Sequence, residues 1–486
     1  MHRFVARINV SCTVIGNRPQ SATNATLPVG YNFLKAKYMK KIIAINSPLF
    51  ECKNSKNNED YLPPLGIGII ISSLNEFDVE FIDSIADNLS LLEILSKIES
   101  VKPDFVLINI FTTNFSLVKK IVEETSIQTH WIIGGLSTKS LYSEIFKWDT
   151  DNFIDVIYGD GELIVYDIIN STLQEHPQEH KNNRRFFLIS DTSVYYVNDI
   201  SDEKLNRKIF LNEPQTNIYE EYEICIYTSR GCPYNCAYCV AASSRNKEQG
   251  KVRRKNNSRI IFELNEIKKI YPDVTAIRVL DDLFLSDKQS FNDAINIFQK
   301  FSYNWRAMCH IKSINSIEDE VLENIKDCGC CELFVGIESG SPQILKRIHK
   351  TDNIDIIKKS VKRVLKIGIN VKGYFICGFP SESISDISKT YDLASNLTAL
   401  SQKHKGKFRN STFQFRPYYG TELYEDVIRS NNISKETILH KVKMSDSINE
   451  NIRDKSFNFD SGNYSEISDD ELFAYIKKMN DLNEPI

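Results

Sequence analysis

Three cysteines within eight residues are the most chemically pointed feature of the chain. In Tyr227-Thr-Ser-Arg-Gly-Cys232-Pro-Tyr-Asn-Cys236-Ala-Tyr-Cys239 the thiols are spaced C-x3-C-x2-C in a loop rich in Gly, Pro and Asn. A short irregular loop lets three sulfurs wrap one face of a metal cluster and leaves one coordination position open. A structural zinc site would want a fourth Cys or His in a second short pair, and none lies nearby. A disulfide fits poorly with a reducing compartment, and three core thiols fit poorly with the Pro, Asn and Gly packed around them. The spacing favours an iron–sulfur cluster, with zinc and plain core packing as the alternatives.

Further candidates end apolar runs downstream. Asp281 and Asp282 follow one run, either as a helix N-cap or as a ligand-facing pair. Glu338, in Gly336-Ile-Glu338-Ser339-Gly340-Ser341, is a carboxylate at a glycine-rich strand end, which suits hydroxyl and ammonium groups. His310 either lines a cavity or packs as an ordinary histidine. Cys225, Cys309, Cys328, Cys330, Cys331 and Cys377 lie in or beside apolar strands and read as buried thiols.

The elements that must position these residues form two series. From residue 40 to about 170, β-rich runs (Lys41 to Asn46, Val79 to Asp83, Phe105 to Phe111, Trp131 to Gly135, Val156 to Gly159) alternate with helical stretches, which predicts a five-stranded parallel α/β layer with its ligands at the carboxyl edge. A second series begins at Ile224 to Tyr227 and returns at Ala276 to Leu280, Trp305 to Ile311, Leu333 to Ile337, Val371 to Ile376 and Thr412 to Phe415. Six βα units in under 200 residues predict a full or partial β/α barrel whose functional residues sit at strand ends. Between the series, residues 171–222 read as a linker, with Phe186 to Ser190 and Val194 to Asn198 as a small hairpin. From residue 423 to 486 the pattern is helical and polar.

Composition bounds the rest. The 486 residues are 42% hydrophobic and 26% charged, with 60 basic against 64 acidic side chains. That is a globular chain of two or three domains with no electrostatic footprint for nucleic acid or an anionic membrane. No run approaches the roughly 18 apolar residues of a membrane helix. Eleven cysteines are too sparse for a disulfide scaffold and point to a reducing, cytoplasmic setting. Residues 1–38 hold no Asp or Glu and carry Arg3, Arg7, Arg18, Lys35 and Lys37. They read as a disordered leader, either a targeting segment or sequence ahead of a true start at Met39.

The cysteine loop resembles the signature of radical S-adenosylmethionine enzymes, and the likeness continues along the second series. The resemblance implies that Cys232, Cys236 and Cys239 hold a 4Fe–4S cluster whose open iron chelates S-adenosylmethionine. It places Tyr238 beside the adenine, Asp282 near the methionine amino group, and Glu338 and Ser339 at the ribose or amino group. Gly373-Tyr-Phe-Ile-Cys-Gly378-Phe-Pro380 resembles the family's glycine-rich fifth strand, and Arg416-Pro417-Tyr418-Tyr419-Gly420-Thr421 its sixth-strand segment, with Tyr419 where the family has a second Pro. Gly378, Arg416 and Pro417 are thereby implied as cofactor-binding.

The first series resembles the cobalamin-binding domain fused ahead of many such enzymes, through Pro63-Pro64-Leu65-Gly66, Phe81-Ile-Asp83, Ile133-Gly134-Gly135 and Tyr158-Gly159-Asp160-Gly161-Glu162. It implies Pro64, Gly66, Thr112, Gly134, Gly135, Gly159 and Glu162 as cobalamin contacts. The chain is accordingly identified with the cobalamin-dependent radical S-adenosylmethionine methyltransferases. The implied architecture is a Rossmann-like, flavodoxin-like domain over residues 39–170, a partial (β/α)6 TIM-type barrel over 223–422 and a helical extension. The implied reaction uses one S-adenosylmethionine to methylate cobalamin and a second, cleaved at the cluster, to take hydrogen from a substrate carbon that then receives the methyl group. Radical cyclisation, ring contraction or rearrangement without methylation, a radical S-adenosylmethionine enzyme that has lost cobalamin, and a non-catalytic cofactor-binding sensor are the alternatives. The implied partners are a small-molecule or peptide substrate and an electron donor such as flavodoxin or ferredoxin.

Overall fold

The computed structural model describes residues 39–48, 62–242, 247–431 and 462–483. The leader expected over residues 1–38, and the part of the C-terminal extension between residues 432 and 461, lie outside the described residues.

The first sheet is built from β1 (Lys41–Asn46), β2 (Asp78–Asp83), β3 (Phe105–Asn109), β4 (His130–Gly134), β5 (Phe153–Tyr158), β6 (Glu179–Lys181) and β7 (Arg184–Leu188), in the order β2-β1-β3-β4-β5-β7-β6. The first five strands are parallel, as expected. Strand β1 shows why both faces are covered: Ile43 and Ile45 enter one core and Ile42 and Ala44 the other, the period-2 split of a strand buried on both sides. Chain order reverses between β1 and β3, so the crevice outside their carboxyl ends is a topological switch point.

Two expectations about the linker are corrected. The sheet has seven strands, and the hairpin pairs Glu179–Lys181 with Arg184–Leu188 rather than residues 186–190 with 194–198. Asn182 adopts the left-handed conformation that the tight reversal needs. Asp155, buried on β5, recruits β7 by accepting from Arg185 at 2.7 and 2.6 Å, with His130 of β4 at 2.9 Å on its other side. Residues 194–198 form turns that bury Tyr195 and Tyr196 by side-chain packing, without strand pairing.

The second sheet runs β16-β15-β14-β13-β12-β9-β8 and comprises β8 (Gln215–Thr216), β9 (Tyr222–Ile226), β12 (Ala276–Val279), β13 (Asn304–Cys309), β14 (Cys330–Glu338), β15 (Asn370–Cys377) and β16 (Phe408–Gln414). Six parallel strands with intervening helices give the expected partial barrel, open between β16 and β9, while β8 pairs antiparallel at the edge. A separate ribbon, β10 (Ser229–Arg230) with β11 (Arg253–Arg254), carries the cysteine loop. Towards the amino ends of the barrel strands, Arg306 is fully buried, donating to Glu223 at 2.5 and 2.8 Å and lying 3.3 Å from Glu332, which also accepts from Arg409. The barrel floor is therefore a paired-charge layer, with its glycine-rich ends on the opposite side.

The described extension contains helix Glu422–Asn431 and helix Asp469–Asn480. The second closes the free edge of β16. Asn483 accepts from the backbone of Asn410 at 2.8 Å and donates back at 2.9 Å, and Asn480 accepts from Thr412 at 3.1 Å. Side-chain amides thus satisfy peptide groups that an edge strand would otherwise leave open. Among the described residues no helix is long and apolar enough to cross a membrane.

Candidate active site

The cysteine loop leaves the carboxyl end of β9 and is held from below by a single carboxylate. Asp281, buried at the end of β12, accepts from the amide and hydroxyl of Thr228 at 2.6 and 2.5 Å and of Ser229 at 3.0 and 2.7 Å. Burial still pushes its carboxyl above the usual range, although these four bonds pull the other way. Helix Lys288–Phe298 begins instead on Asp287, so neither Asp281 nor Asp282 is a helix N-cap. Further along, the Ala237 amide donates to Ile348 O at 3.2 Å, its carbonyl accepts from the Leu423 amide at 3.1 Å, and His349 Nδ1 lies 2.9 Å from Asn235 O.

Cys232, Cys236 and Cys239 are free and half-buried in this loop. Burial pushes all three thiols up, Cys239 to about 12. Among the described residues no three His, Cys, Asp or Glu close on a single point as one metal ion would require. The ligands of a four-iron cube each hold a different iron and need not do so. Three thiols in one loop with an open side fit that group.

Around the loop the barrel ends bring some expected residues together. Glu338 is buried at the end of β14 with Lys350 Nζ 3.1 Å from its Oε1. Burial opposes the Lys350 charge, but Glu338 and Cys236 outweigh it and its pKa is raised. Tyr238 hydrogen-bonds to Glu338 and meets the Phe379 ring edge-on, centroids 5.8 Å apart. Asp282 is exposed and accepts the Gly231 amide at 3.2 Å, beside the cysteines. Tyr234, inside the loop, stacks on His310 at 3.9 Å. Burial drives the His310 pKa down to about 2, helped by Lys350 and Lys312, so the ring is neutral.

Other expected residues also make contacts within the scaffold. The Ser339 hydroxyl is 3.0 Å from that of Thr390 and accepts the Ser341 amide, facing helix Ile384–Ser401. Gly378 has φ +87° and lies under Leu472 of the C-terminal helix. Pro417 is buried beside a half-exposed Arg416 in the turn after β16.

At the carboxyl edge of the first sheet, a methyl group added at Gly66 or Gly134 would meet nothing within 4 Å. Phe111 and Leu136, just beyond β3 and β4, stand 38% and 52% exposed at the same edge. Open glycine backbone flanked by exposed apolar side chains fits a broad, flat ligand such as a corrin. Pro64 adjoins Gly66 at the start of helix Leu65–Ser73. Gly135 and Gly159, in contrast, have φ of +132° and +106° and press against the backbone of Ile110 and Ile189, so their glycines answer packing. The buried Thr112 hydroxyl is 3.2 Å from that of Ser137. Glu162, at the same edge, pairs with Arg230.

Several contributing residues carried no spacing cue. A polar ladder crosses the switch point, with Asn46 donating to Asp83 at 2.8 Å, Asn109 to Asn46 at 3.0 Å and Asn114 to Ser47 at 2.6 Å. Lys350 lies in the Leu345 to Lys350 stretch, and nothing in that run marks it as the partner of Glu338. Arg230 stands inside the cysteine motif, yet its partners Asp160 and Glu162 lie 70 and 68 residues away in the chain.

Comparison with known proteins finds matches to both domains. The radical SAM superfamily model matches residues 226–394 and the B12-binding domain model residues 57–169. An uncharacterised methyltransferase of Pyrococcus horikoshii is 27% identical over 388 residues, covering 76% of this chain and 79% of that protein. The cobalamin-dependent S-adenosylmethionine radical enzyme OxsB, solved with aqua-cobalamin and S-adenosylmethionine bound, superposes with a TM-score of 0.62 at 14% identity, covering 88% of this chain and 65% of that one. The radical S-adenosylmethionine methyltransferase TsrM of Kitasatospora setae, solved with cobalamin and a [4Fe-4S] cluster, gives 0.59 at 12% identity, covering 92% and 90%. At these identities the likeness to both structures is one of fold. The chain thus carries a B12-binding domain, matched over residues 57–169, ahead of a radical SAM domain, matched over residues 226–394.

Proposed function

We propose that the chain is a cobalamin-dependent radical S-adenosylmethionine C-methyltransferase acting on a small-molecule or peptide substrate. The observation that carries this reading is one loop with three free thiols, set among the carboxyl ends of barrel strands and followed by the Glu338–Lys350 pair. When bound, the cluster with S-adenosylmethionine supplies a carbon radical and the corrin a transferable methyl group. The chain's residues bind and orient. Cys232, Cys236 and Cys239 hold the cluster. Glu338 and Asp282 offer acceptors to the ribose hydroxyls and ammonium of S-adenosylmethionine, Lys350 compensates the buried charge, and Tyr238 and the Arg416–Pro417 turn bound the adenine side. Pro64, Gly66, Gly134, Phe111 and Leu136 offer the corrin a bare backbone edge with apolar flanks.

The reducing electron comes from a donor such as flavodoxin or ferredoxin, in the cytoplasmic setting that unpaired thiols suit. Anaerobic reconstitution with iron, sulfide and hydroxocobalamin tests the reading. The expected result is four irons and one cobalt per chain, with 5′-deoxyadenosine formed on reduction. Cys236→Ala is expected to lose iron and cleavage together. Cleavage persisting in that variant removes the cluster assignment, and absence of cobalt beside an intact cluster removes the methyltransferase.

A further inference from the structure

The cysteine loop is tied to the first domain by a buried charge cluster. Arg230, two residues before Cys232, reaches Asp160 at 2.6 Å, Glu162, and Glu203 at 2.7 Å. Arg253, its neighbour across the β10–β11 ribbon, binds Asp160 at 2.5 and 3.1 Å, donates to Val197 O at 2.6 Å and lies over the Tyr196 ring at 4.3 Å. Asp160 also accepts the Val197 amide at 2.9 Å. Asp160 stands in the loop leaving β5 and Glu162 opens helix Glu162–Asn170, at the same carboxyl edge as Gly66 and Gly134. The far side of the ribbon is tied as well: Lys139 meets Glu248 at 2.5 Å, the Asp191 amide donates to Glu248 O at 2.7 Å, and the Gln249 side chain donates to Ile189 O. Both ends of the segment that brackets the three thiols are therefore anchored on the first domain.

We propose that Asp160 and Glu162, acting through Arg230 and Arg253, are positioning residues that set the distance and orientation of the cysteine loop relative to the carboxyl edge of the first sheet. Two features argue for a built device. A guanidinium presents a planar fork of fixed geometry, so paired carboxylates constrain its direction as well as its place. The carboxylates also flank Gly161, where the loop after β5 turns into helix Glu162–Asn170 and the missing side chain lets the chain close against Ile70. Transfer of a group between two cofactors on different domains depends on their separation to within about 1 Å, and this cluster is a contact by which the chain can fix it. The inference rests on the two-cofactor reading above.

The test uses the full chain reconstituted with iron, sulfide and hydroxocobalamin and reduced so that both cluster and cobalt are paramagnetic. Asp160→Asn/Glu162→Gln is expected to keep iron and cobalt stoichiometry while the cluster–cobalt dipolar coupling, read by pulsed electron paramagnetic resonance, spreads from one distance to a broad distribution. Asp160→Glu/Glu162→Asp, which keeps both charges, is expected to restore a narrow distribution. A narrow, unshifted distribution in the neutralised variant overturns the proposal, and so does loss of iron, which would make these carboxylates cluster-assembly residues. Hydrogen exchange of the cofactor-free chain separates this failure from failure of the cofactor reading. Amides 228–242 are expected to exchange at least tenfold faster in the neutralised variant, with β13 to β15 unchanged. Wild-type chain without cobalt but with that acceleration would drop the corrin and keep the anchor; unchanged exchange would drop the anchor.

Discussion

Glu338 combines three unusual properties at one residue. It has a left-handed backbone with φ +70°, it sits beside a register shift in β14, and its carboxylate is buried against Lys350. Gly336 is glycine for the same reason: a methyl group there would run into Glu338 Oε1 and stand 3.0 Å from Lys350 Nζ. Strain of this kind persists only where the surroundings over-determine it, and at the proposed S-adenosylmethionine site it would aim the carboxylate. Breaking a buried ion pair from one side costs more than removing it whole. Lys350→Met is therefore expected to lower the unfolding free energy by about 3 kcal/mol, and Lys350→Met/Glu338→Gln to recover much of that, as urea titration of the four-member cycle would show. Asp281→Asn should cost about 2–3 kcal/mol, because an amide cannot accept all four donors of Thr228 and Ser229, and iron retention should fall with it. The G-x-E-S-G-S and cysteine patterns were readable in the sequence because they are local. Lys350 and Asp281 act through partners that only the barrel brings near, and Ser339, expected at the ligand, also braces helix Ile384–Ser401 through Thr390.

At the scale of elements, the C-terminal helix Asp469–Asn480 shows what periodicity leaves out. A polar helical pattern was visible, but not the face it covers, because β16 is an edge only once the barrel is known to stay open. Leu472 is fully buried over Gly378, and Met479 Sδ is 3.8 Å from Cys377 Sγ. Leu472→Ala is expected to cost about 3 kcal/mol through the cavity it leaves. Gly378→Ala adds two penalties, the φ of +87° and a methyl 3.0 Å from Leu472. In the Leu472→Ala background only the conformational part, about 1–2 kcal/mol, should remain. Equal costs in both backgrounds would mean the helix does not press on that turn. The relocated hairpin has a similar origin. The aromatic run Val194 to Asn198 looks strand-like alone, whereas the pairing is decided by Asp155, a buried carboxylate that needs Arg185 alongside.

Over the whole molecule, the first domain, the connector and the barrel meet at five charged side chains: Asp160, Glu162, Glu203, Arg230 and Arg253, with Lys255 close by. Three carboxylates share two guanidiniums, and the surplus falls on Glu203. Its side chain is 7% exposed, and among the described residues neither oxygen is in hydrogen-bond geometry with a donor. Burial raises its pKa to about 7, with Glu162 and Asp160 adding to the rise and Arg230 and Lys255 opposing it. Asp160 behaves oppositely: burial is outweighed by Arg253 and Arg230, and its pKa is lowered. The two signs separate in pH. A raised carboxyl stabilises the fold fully below its ordinary value near 4.5, and that contribution is lost as pH rises through about 7. The Asp160 contribution is already complete above its ordinary value near 3.8 and is lost only as pH falls into the acid range. Between about pH 4.5 and 7.5 the junction should therefore weaken with rising pH, by at most about 3 kcal/mol for the Glu203 shift. Glu382, also raised, to about 8, titrates in an overlapping range, so the comparison must be with a variant. Unfolding curves of wild type and Glu203→Gln across that interval are expected to converge at the acid end and diverge at neutral pH, with the variant the more stable there. Parallel curves would mean that Glu203 is ionised throughout and that Arg230 carries all three carboxylates without strain.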